Sequence, residues 1–228
     1  ALGYIPTEFS INGAQVAGVW TSIWYVRSRS RRGLGSMLMR RLMERFEVVA
    51  GQGASEDNQK VIVALGHEFL SYIPKHVAVL TPFWYQEHRV RDTSGLVTDQ
   101  KRLSLSDTLN VNAVLDNFEP DWSLYGELKN GTIRNSAYLN HRYVQHPYLE
   151  YQILRLGSDG AESLAIGRKI QISETVAGYR ILELFGPSGP DYAGQNRLLV
   201  EQISVLASHL KCQFIEIHTS SSVFGSIF

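Results

Sequence analysis

The sequence predicts a mixed α/β fold: a mainly antiparallel sheet flanked by helices, built from two related units. Three observations predict it. Stretches rich in Val, Ile, Thr and aromatic residues are followed by segments whose apolar residues recur every three to four positions, so strands precede amphipathic helices. The order strands, glycine-containing loop, helix, short strand occurs once before residue 82 and again after residue 118. Apolar types make up 44% of the 228 residues and charged types 19%, which is enough to bury a core.

Taken in order, Tyr4 to Ile11 and Ala14 to Val26 are strand-like, and Asn12-Gly13 between them supplies a turn that tolerates positive φ, giving a hairpin. A basic stretch and Gly33-Leu34-Gly35-Ser36 follow. From Leu34 the period changes: Leu34, Leu38, Leu42 and Phe46 line one face of a helix running to about Glu47. Val48-Val49-Ala50 is a short strand, Glu56 to Leu65 a helix stopped at Gly66, and His76 to Leu80 a strand ended by Thr81-Pro82. Residues 83–117 are polar and irregular and form a connection. Beyond it Glu150 to Leu156, Ser163 to Ile172 and Gly178 to Gly186 are strands, Gln195 to Leu210 a helix with Leu199, Ile203, Leu206 and Leu210 on one face, and Gln213 to Ile217 a final strand. Residues 1–82 then make a first unit and residues 118–228 a second.

Lys+Arg and Asp+Glu both total 22, so the formal net charge is zero, against a bulk nucleic-acid binder that depends on excess cations. Cys212 is the only cysteine, which excludes an internal disulfide framework and fits a reducing, cytoplasmic setting. No apolar run reaches the roughly 20 residues of a membrane span. The start lacks Met and a signal-peptide pattern, and the end stops on an apolar run, so a segment of a longer protein is expected.

The strongest local chemistry lies at Trp24-Tyr25-Val26, then Ser30-Arg31-Arg32-Gly33-Leu34-Gly35-Ser36, then the helix. A glycine-rich turn entering a helix leaves backbone N–H groups unpaired, and the helix dipole favours an anion there. Glycines let a phosphate approach the backbone, and Arg31 and Arg32 add charge and donors. Several donors along one turn suit a pyrophosphate. The competing structural reading is a strand-to-helix turn with glycines for geometry and arginines for solubility. The Gly-Lys-Ser/Thr of a phosphate-binding P-loop is absent, and Leu38 stands where a dinucleotide fingerprint needs its third glycine.

This strand, Arg-x-x-Gly-x-Gly-like loop and helix resemble the acyl-CoA pyrophosphate motif of the GNAT superfamily of N-acetyltransferases. The likeness continues through Val48-Val49-Ala50 and Val61 to Phe69 and covers roughly residues 4–80. It implies acetyl-CoA or another acyl-CoA as cosubstrate, held by loop amides from Arg31 to Ser36. It also implies that Trp24, Tyr25 and Val26 pair with pantetheine through their backbone. The sequence departs from the pattern at Ser30, the motif's usual first Arg or Gln, at Ser55 in place of a common Asn, and at Ile62, which aligns with the tyrosine general acid. The segment Tyr138-Leu139-Asn140-His141-Arg142-Tyr143-Val144-Gln145-His146-Pro147 resembles a stretch of tandem acetyltransferase-like proteins, some associated with bacterial surface polysaccharide synthesis. The second unit then reads as a degenerate copy without a cofactor loop.

Amide formation needs a base to take the amine proton. No Asp or Glu lies between Gln15 and Val26, where many members of the superfamily carry one. Glu56 and Asp57 suit a helix N-terminus. His141 and His146, in an aromatic-rich segment, are the candidate bases, with hydrogen bonding at a domain junction as the competing role. No metal set is expected. Cys212 reads as core. The expected function is acyl-CoA-dependent N-acyl transfer, with acetyl transfer to a small-molecule amine such as an amino sugar foremost. A non-catalytic acyl-CoA-binding scaffold and a relative of the Fem-type aminoacyl transferases are the alternatives. Neither nucleic acid nor membrane is expected as a partner, and a homodimer is an assembly open to the chain.

Overall fold

A computed structural model describes residues 2–25, 33–68, 73–81, 110–111, 115, 118–125, 130–157 and 160–219. The chain divides into two compact units that are not contiguous in sequence. One comprises Ala1–Tyr72 with Leu128–Ile133, the other Ile73–Glu127 with Arg134–Phe228.

The first unit is a four-stranded sheet. In spatial order its strands are β3 (Val48–Gly51), β2 (Ala14–Trp24), β1 (Leu2–Ile11) and β6 (Gly131–Thr132). Strands β1 and β2 form the hairpin expected from Asn12-Gly13. Both turn residues are left-handed (φ 51° and 84°), as a two-residue hairpin turn demands. Helix α1 (Leu34–Arg45) then returns the chain so that β3 lies parallel to β2, because parallel neighbours need a crossover of this length. Met39 and Leu42 of α1, Phe9 of β1 and Val19 of β2 are buried. Tyr4 meets Phe46 edge-on, ring centroids 5.8 Å apart. Helix α2 (Glu56–Ala64) begins at Ser55, whose Oγ accepts from the Asn58 amide, with Glu56 and Asp57 in its first turn. Gly66 follows it at φ 89°.

The second unit is a six-stranded sheet. Its spatial order is β4 (Lys75–Val79), β10 (Phe214–His218), β9 (Ala177–Phe185), β8 (Ser163–Gln171), β7 (Gln152–Leu156) and β5 (Asn110–Val111). Helix α3 (Ser136–Leu139) runs into a π-turn, Asn140–Val144. Helix α4 (Ala193–His209) links β9 to its parallel neighbour β10. Leu199, Ile203, Leu206 and Ala207 of α4 pack on Tyr179 and Ile181 of β9 and on Ile215 and Ile217 of β10. Cys212 is buried in the same cluster, and burial pushes its thiol up.

Two pairings differ from the sequence order. Lys75–Val79, expected within the first unit from its place before residue 82, pairs antiparallel with β10 of the second sheet, because Ala78 and Leu80 complete the apolar cluster around Ile215 and Ile217. In return β6, from beyond residue 118, pairs with Phe9 and Ser10 of β1. Thr132 Oγ1 accepts from Trp20 Nε1 at 2.8 Å there. The connection 83–117 falls mostly outside the described residues.

Candidate active site

Trp24 ends β2 and Tyr25 follows it, while Gly33 precedes α1 and Leu34, Gly35 and Ser36 form its first turn, all in the first unit. Val26, Arg31 and Arg32 lie outside the described residues. The β2–β3 ladder holds for four pairs, Gly18↔Val48 to Thr21↔Gly51, and stops. Thr21 Oγ1 donates to Ala50 O at 3.1 Å, closing the last pair. In the other ladder Tyr4 faces Thr21 and Gly3 faces Ile23, so Ser22 is an extra residue with no partner on β1. An inserted residue bends its strand and increases its twist. Here the bend falls one residue beyond the end of the parallel ladder, so Ser22 to Trp24 run on past β3.

Later in the same unit α1 starts at Leu34, after Gly33. Gly33 sits at φ 82°, in the left-handed region, and a Cβ placed on it would touch nothing within 4 Å. The first helical hydrogen bond runs from the Met37 amide to Gly33 O at 2.9 Å. The amides of Leu34, Gly35 and Ser36 therefore have no acceptor within the helix. Among the described residues no side chain caps the turn, and its first turn has no acidic residue. Such a corner carries the positive end of the helix dipole and presents donors to an anion. Tyr25, after β2, is 60% exposed.

His141 and His146 belong to the second unit. His141 is exposed on the π-turn. His146 has a structural role. Its Nδ1 accepts from the amides of Tyr148 (3.2 Å) and Leu149 (3.0 Å), and its ring meets the edges of Tyr148 and Tyr151. Only Nε2 is left for proton transfer. Among the described residues no group of three or more His, Cys, Asp or Glu is placed to hold a metal ion.

Sequence reasoning did not single out Ser22, whose role is set by register, nor the polar groups behind the π-turn. Glu183, almost fully buried on β9, accepts from Arg134 Nε at 2.6 Å and from the Tyr143 hydroxyl at 2.7 Å. Burial, reinforced by the Glu183 charge, pushes the Tyr143 phenol far up, so it stays a donor. Arg142 lies over the rings of Tyr138 and Tyr143. The Tyr/Arg density of residues 138–143 was the available signal.

With this geometry the chain resembles solved acyltransferases. N-myristoyltransferase from Saccharomyces cerevisiae with bound myristoyl-CoA superposes with a TM-score of 0.64 at 11% identity, over 99% of this chain and 60% of that one. A protein from Enterococcus faecalis described as a probable N-acyltransferase superposes with a TM-score of 0.55 at 14% identity, over 94% of this chain and 50% of that one. The fold is that of the acyl-CoA N-acyltransferases. The chain spans between half and three-fifths of the length of these neighbours. No protein-family model matches the sequence, and no curated protein matches it in sequence. No helix among the described residues is long and apolar enough to cross a membrane.

Proposed function

We propose that the chain is an acyl-CoA-dependent N-acyltransferase whose first unit binds the cosubstrate. One observation carries this reading: helix α1, which follows β2 in the chain, starts at a left-handed glycine with no acidic residue in its first turn, and β2 runs on past the end of its parallel ladder with β3. The residues present suit a CoA pyrophosphate. The amides of Leu34, Gly35 and Ser36 would donate to it, and the open space at Gly33 admits a phosphate where a Cβ would not interfere. Arg31 and Arg32, from the same loop, would add charge. The β2 edge from Ser22 to Trp24, past the end of β3, would pair its backbone with pantetheine as a missing strand would.

The cosubstrate supplies a thioester, whose carbonyl carbon is attacked by the acceptor nitrogen. The new C–N bond replaces the C–S bond, and the sulfur leaves as a thiolate that takes up a proton. The backbone N–H groups around the bulge at Ser22 are suited to polarise the carbonyl oxygen. The proton lost by nitrogen would pass to His141, or to Nε2 of His146, directly or through water. We propose a small-molecule amine as acceptor, an amino sugar among the candidates, and a cytoplasmic site of action, where acyl-CoA is made. In this proposal the second unit is a degenerate copy of the first, without a cofactor loop of its own. The neighbour with myristoyl-CoA argues for testing long as well as short acyl groups.

A second reading has its own observation. The family's tyrosine acid is replaced by Ile62 within α2, which favours acyl-CoA binding without transfer. Calorimetric titration of CoA decides the shared part. Wild type should bind, and Gly35→Glu should not, because the carboxylate suits the helix dipole while filling the phosphate position. Unchanged CoA affinity in a folded Gly35→Glu protein overturns the assignment. Thiol release from acetyl- and myristoyl-CoA with a panel of amines then separates transfer from binding.

A further inference from the structure

On the face of the second sheet opposite α4, four charged side chains cross neighbouring strands in one row. Arg168 on β8 stands opposite Arg180 on β9, Arg180 stands opposite Glu216 on β10, and Lys75 on β4 reaches the same carboxylate. Glu216 is 1% exposed, and both its oxygens are used: Arg180 donates to Oε1 through Nε, and Lys75 donates to Oε2. Burial would raise this carboxyl, but the hydrogen bonds from Lys75 and Arg180 prevail and hold it low. Glu216 therefore fixes two cations, one on each oxygen.

Arg168 is that third cation. Directly opposite like charges destabilise a sheet. Its Nε is buried and has no hydrogen-bond partner among the described residues. The other carboxylate on this face, Glu183, is already held by Arg134 and Tyr143, and His218, beyond Glu216 on β10, is exposed. Among the described residues the row holds three cations against one carboxylate, an excess of two positive charges, with Ile170, Val176 and Phe214 as an apolar floor beside it. No described residue offsets the charge of Arg168 there. Two guanidinium groups side by side, one of them braced by a buried carboxylate, are suited to a bidentate oxyanion, and the excess charge equals that of a phosphate monoester.

We propose that Arg168 and Arg180, with Lys75 at the rim, bind a phosphate group on this face, separately from the helix corner of the first unit. The ligand is free phosphate or the phosphate of a small phosphorylated molecule. The assignment does not depend on acyl transfer.

The test is thermal unfolding at fixed ionic strength, with chloride exchanged for inorganic phosphate or for a sugar phosphate. It is run in the Gly35→Glu background so that the helix corner cannot contribute. The expected result is a saturable rise in Tm of about 3 °C at roughly ten times Kd. Arg168→Met should be at least as stable as its parent in chloride and should lose the rise. Arg168→Lys, which keeps the charge without the fork, should bind several-fold more weakly. No saturable rise with either probe, or an equal rise in Arg168→Met, overturns the proposal. A rise that vanishes with Gly35→Glu alone assigns the phosphate to α1 and overturns it equally, while leaving the acyl-CoA reading standing.

Discussion

The two units contain the same crossover, finished in two ways. In the first, β2 pairs with β3 as far as Thr21, Ser22 is the extra residue, and the chain continues into α1. In the second, β9 pairs with β10 as far as Ile181, Leu182 is the extra residue, and the chain continues into α4. The bulge falls one residue past the parallel ladder in both. What differs is the corner beyond it. At α1 a left-handed glycine takes the N-cap position, and among the described residues no side chain caps the first amides. At the start of α4 two amide side chains turn inward. Asn196 accepts from Ser163 Oγ at 2.7 Å and donates to Pro187 O at 2.9 Å, while Gln195 donates to Ser163 Oγ and Ala161 O. The same crossover therefore starts its helix at a bare glycine in one unit and at a polar junction in the other, and the proposed anion site rests on that difference. The fold supplies the corner, and a few side chains decide whether it is open or filled.

The largest effect expected from this contrast comes from one substitution made at both corners. A Cβ on Gly186 would lie 2.0 Å from Asn196 Oδ1 and 2.7 Å from Ser163 Oγ. Gly186→Ala must break that buried network and should cost about 3 kcal/mol, through loss of hydrogen bonds and unsatisfied buried groups. A Cβ on Gly33 meets nothing, so Gly33→Ala should cost only the left-handed backbone penalty of about 1 kcal/mol. Urea unfolding midpoints of the two variants measure the difference. Equal losses would mean that the corners are alike and the contrast is false.

Much of this arrangement was legible beforehand, for identifiable reasons. Asn12-Gly13 fixes a hairpin because few other pairs accept two left-handed residues, and the four-residue spacing from Leu34 to Leu42 marks α1 because one face must be buried. The glycine at the start of α1 was legible because a left-handed position before a helix favours that residue type. The bulges were not. Ser22 and Leu182 are ordinary strand residues, and only cross-strand register makes them special. Nor could sequence order show that Lys75–Val79 joins the second sheet. A short apolar strand fits either sheet, and the choice is made by the cluster around Ile215. Nor could sequence show that His146 Nδ1 is spent on two amides, which leaves Nε2 alone for the base role proposed for it.

Charge sharpens the contrast at intermediate size. The second unit buries carboxylates at Glu162, Glu183 and Glu216, each held by an arginine. Among its described residues the first unit shows the exposed pair Arg41–Glu44. Glu216 is held below its ordinary value: burial opposes ionisation, but Lys75 and Arg180 outweigh it. A carboxyl lowered in the folded state stabilises above its unfolded pKa, and that stabilisation is lost as pH falls through the lower folded value. Wild type should therefore lose stability as pH drops below about 4.3, the ordinary glutamate value. Glu216→Gln should start less stable at neutral pH, because Arg180 and Lys75 lose their anion, and should show a shallower acid limb. Unfolding midpoints followed from about pH 6 downward check it. An unchanged limb would remove Glu216 from the acid response.

The smallest effect expected lies in the first unit and is informative for being small. Arg41 and Glu44 are one helical turn apart on α1, 3.6 Å between charged atoms, with side chains 78% and 66% exposed. Water screens such a pair, and holding two long side chains in one rotamer offsets most of what remains. Arg41→Ala should shift stability by about 0.3 kcal/mol or less, and added salt should not enlarge the difference. The same helix carries the open amides at its other end, so this variant also controls for charge at a distance: CoA affinity should stay within about twofold of wild type, since the site draws on the first turn and the loop before it. A large loss of CoA binding in Arg41→Ala would mean that the field of the whole helix face matters, and the contrast between an open and a sealed corner would have to be recast as one between a more and a less basic surface.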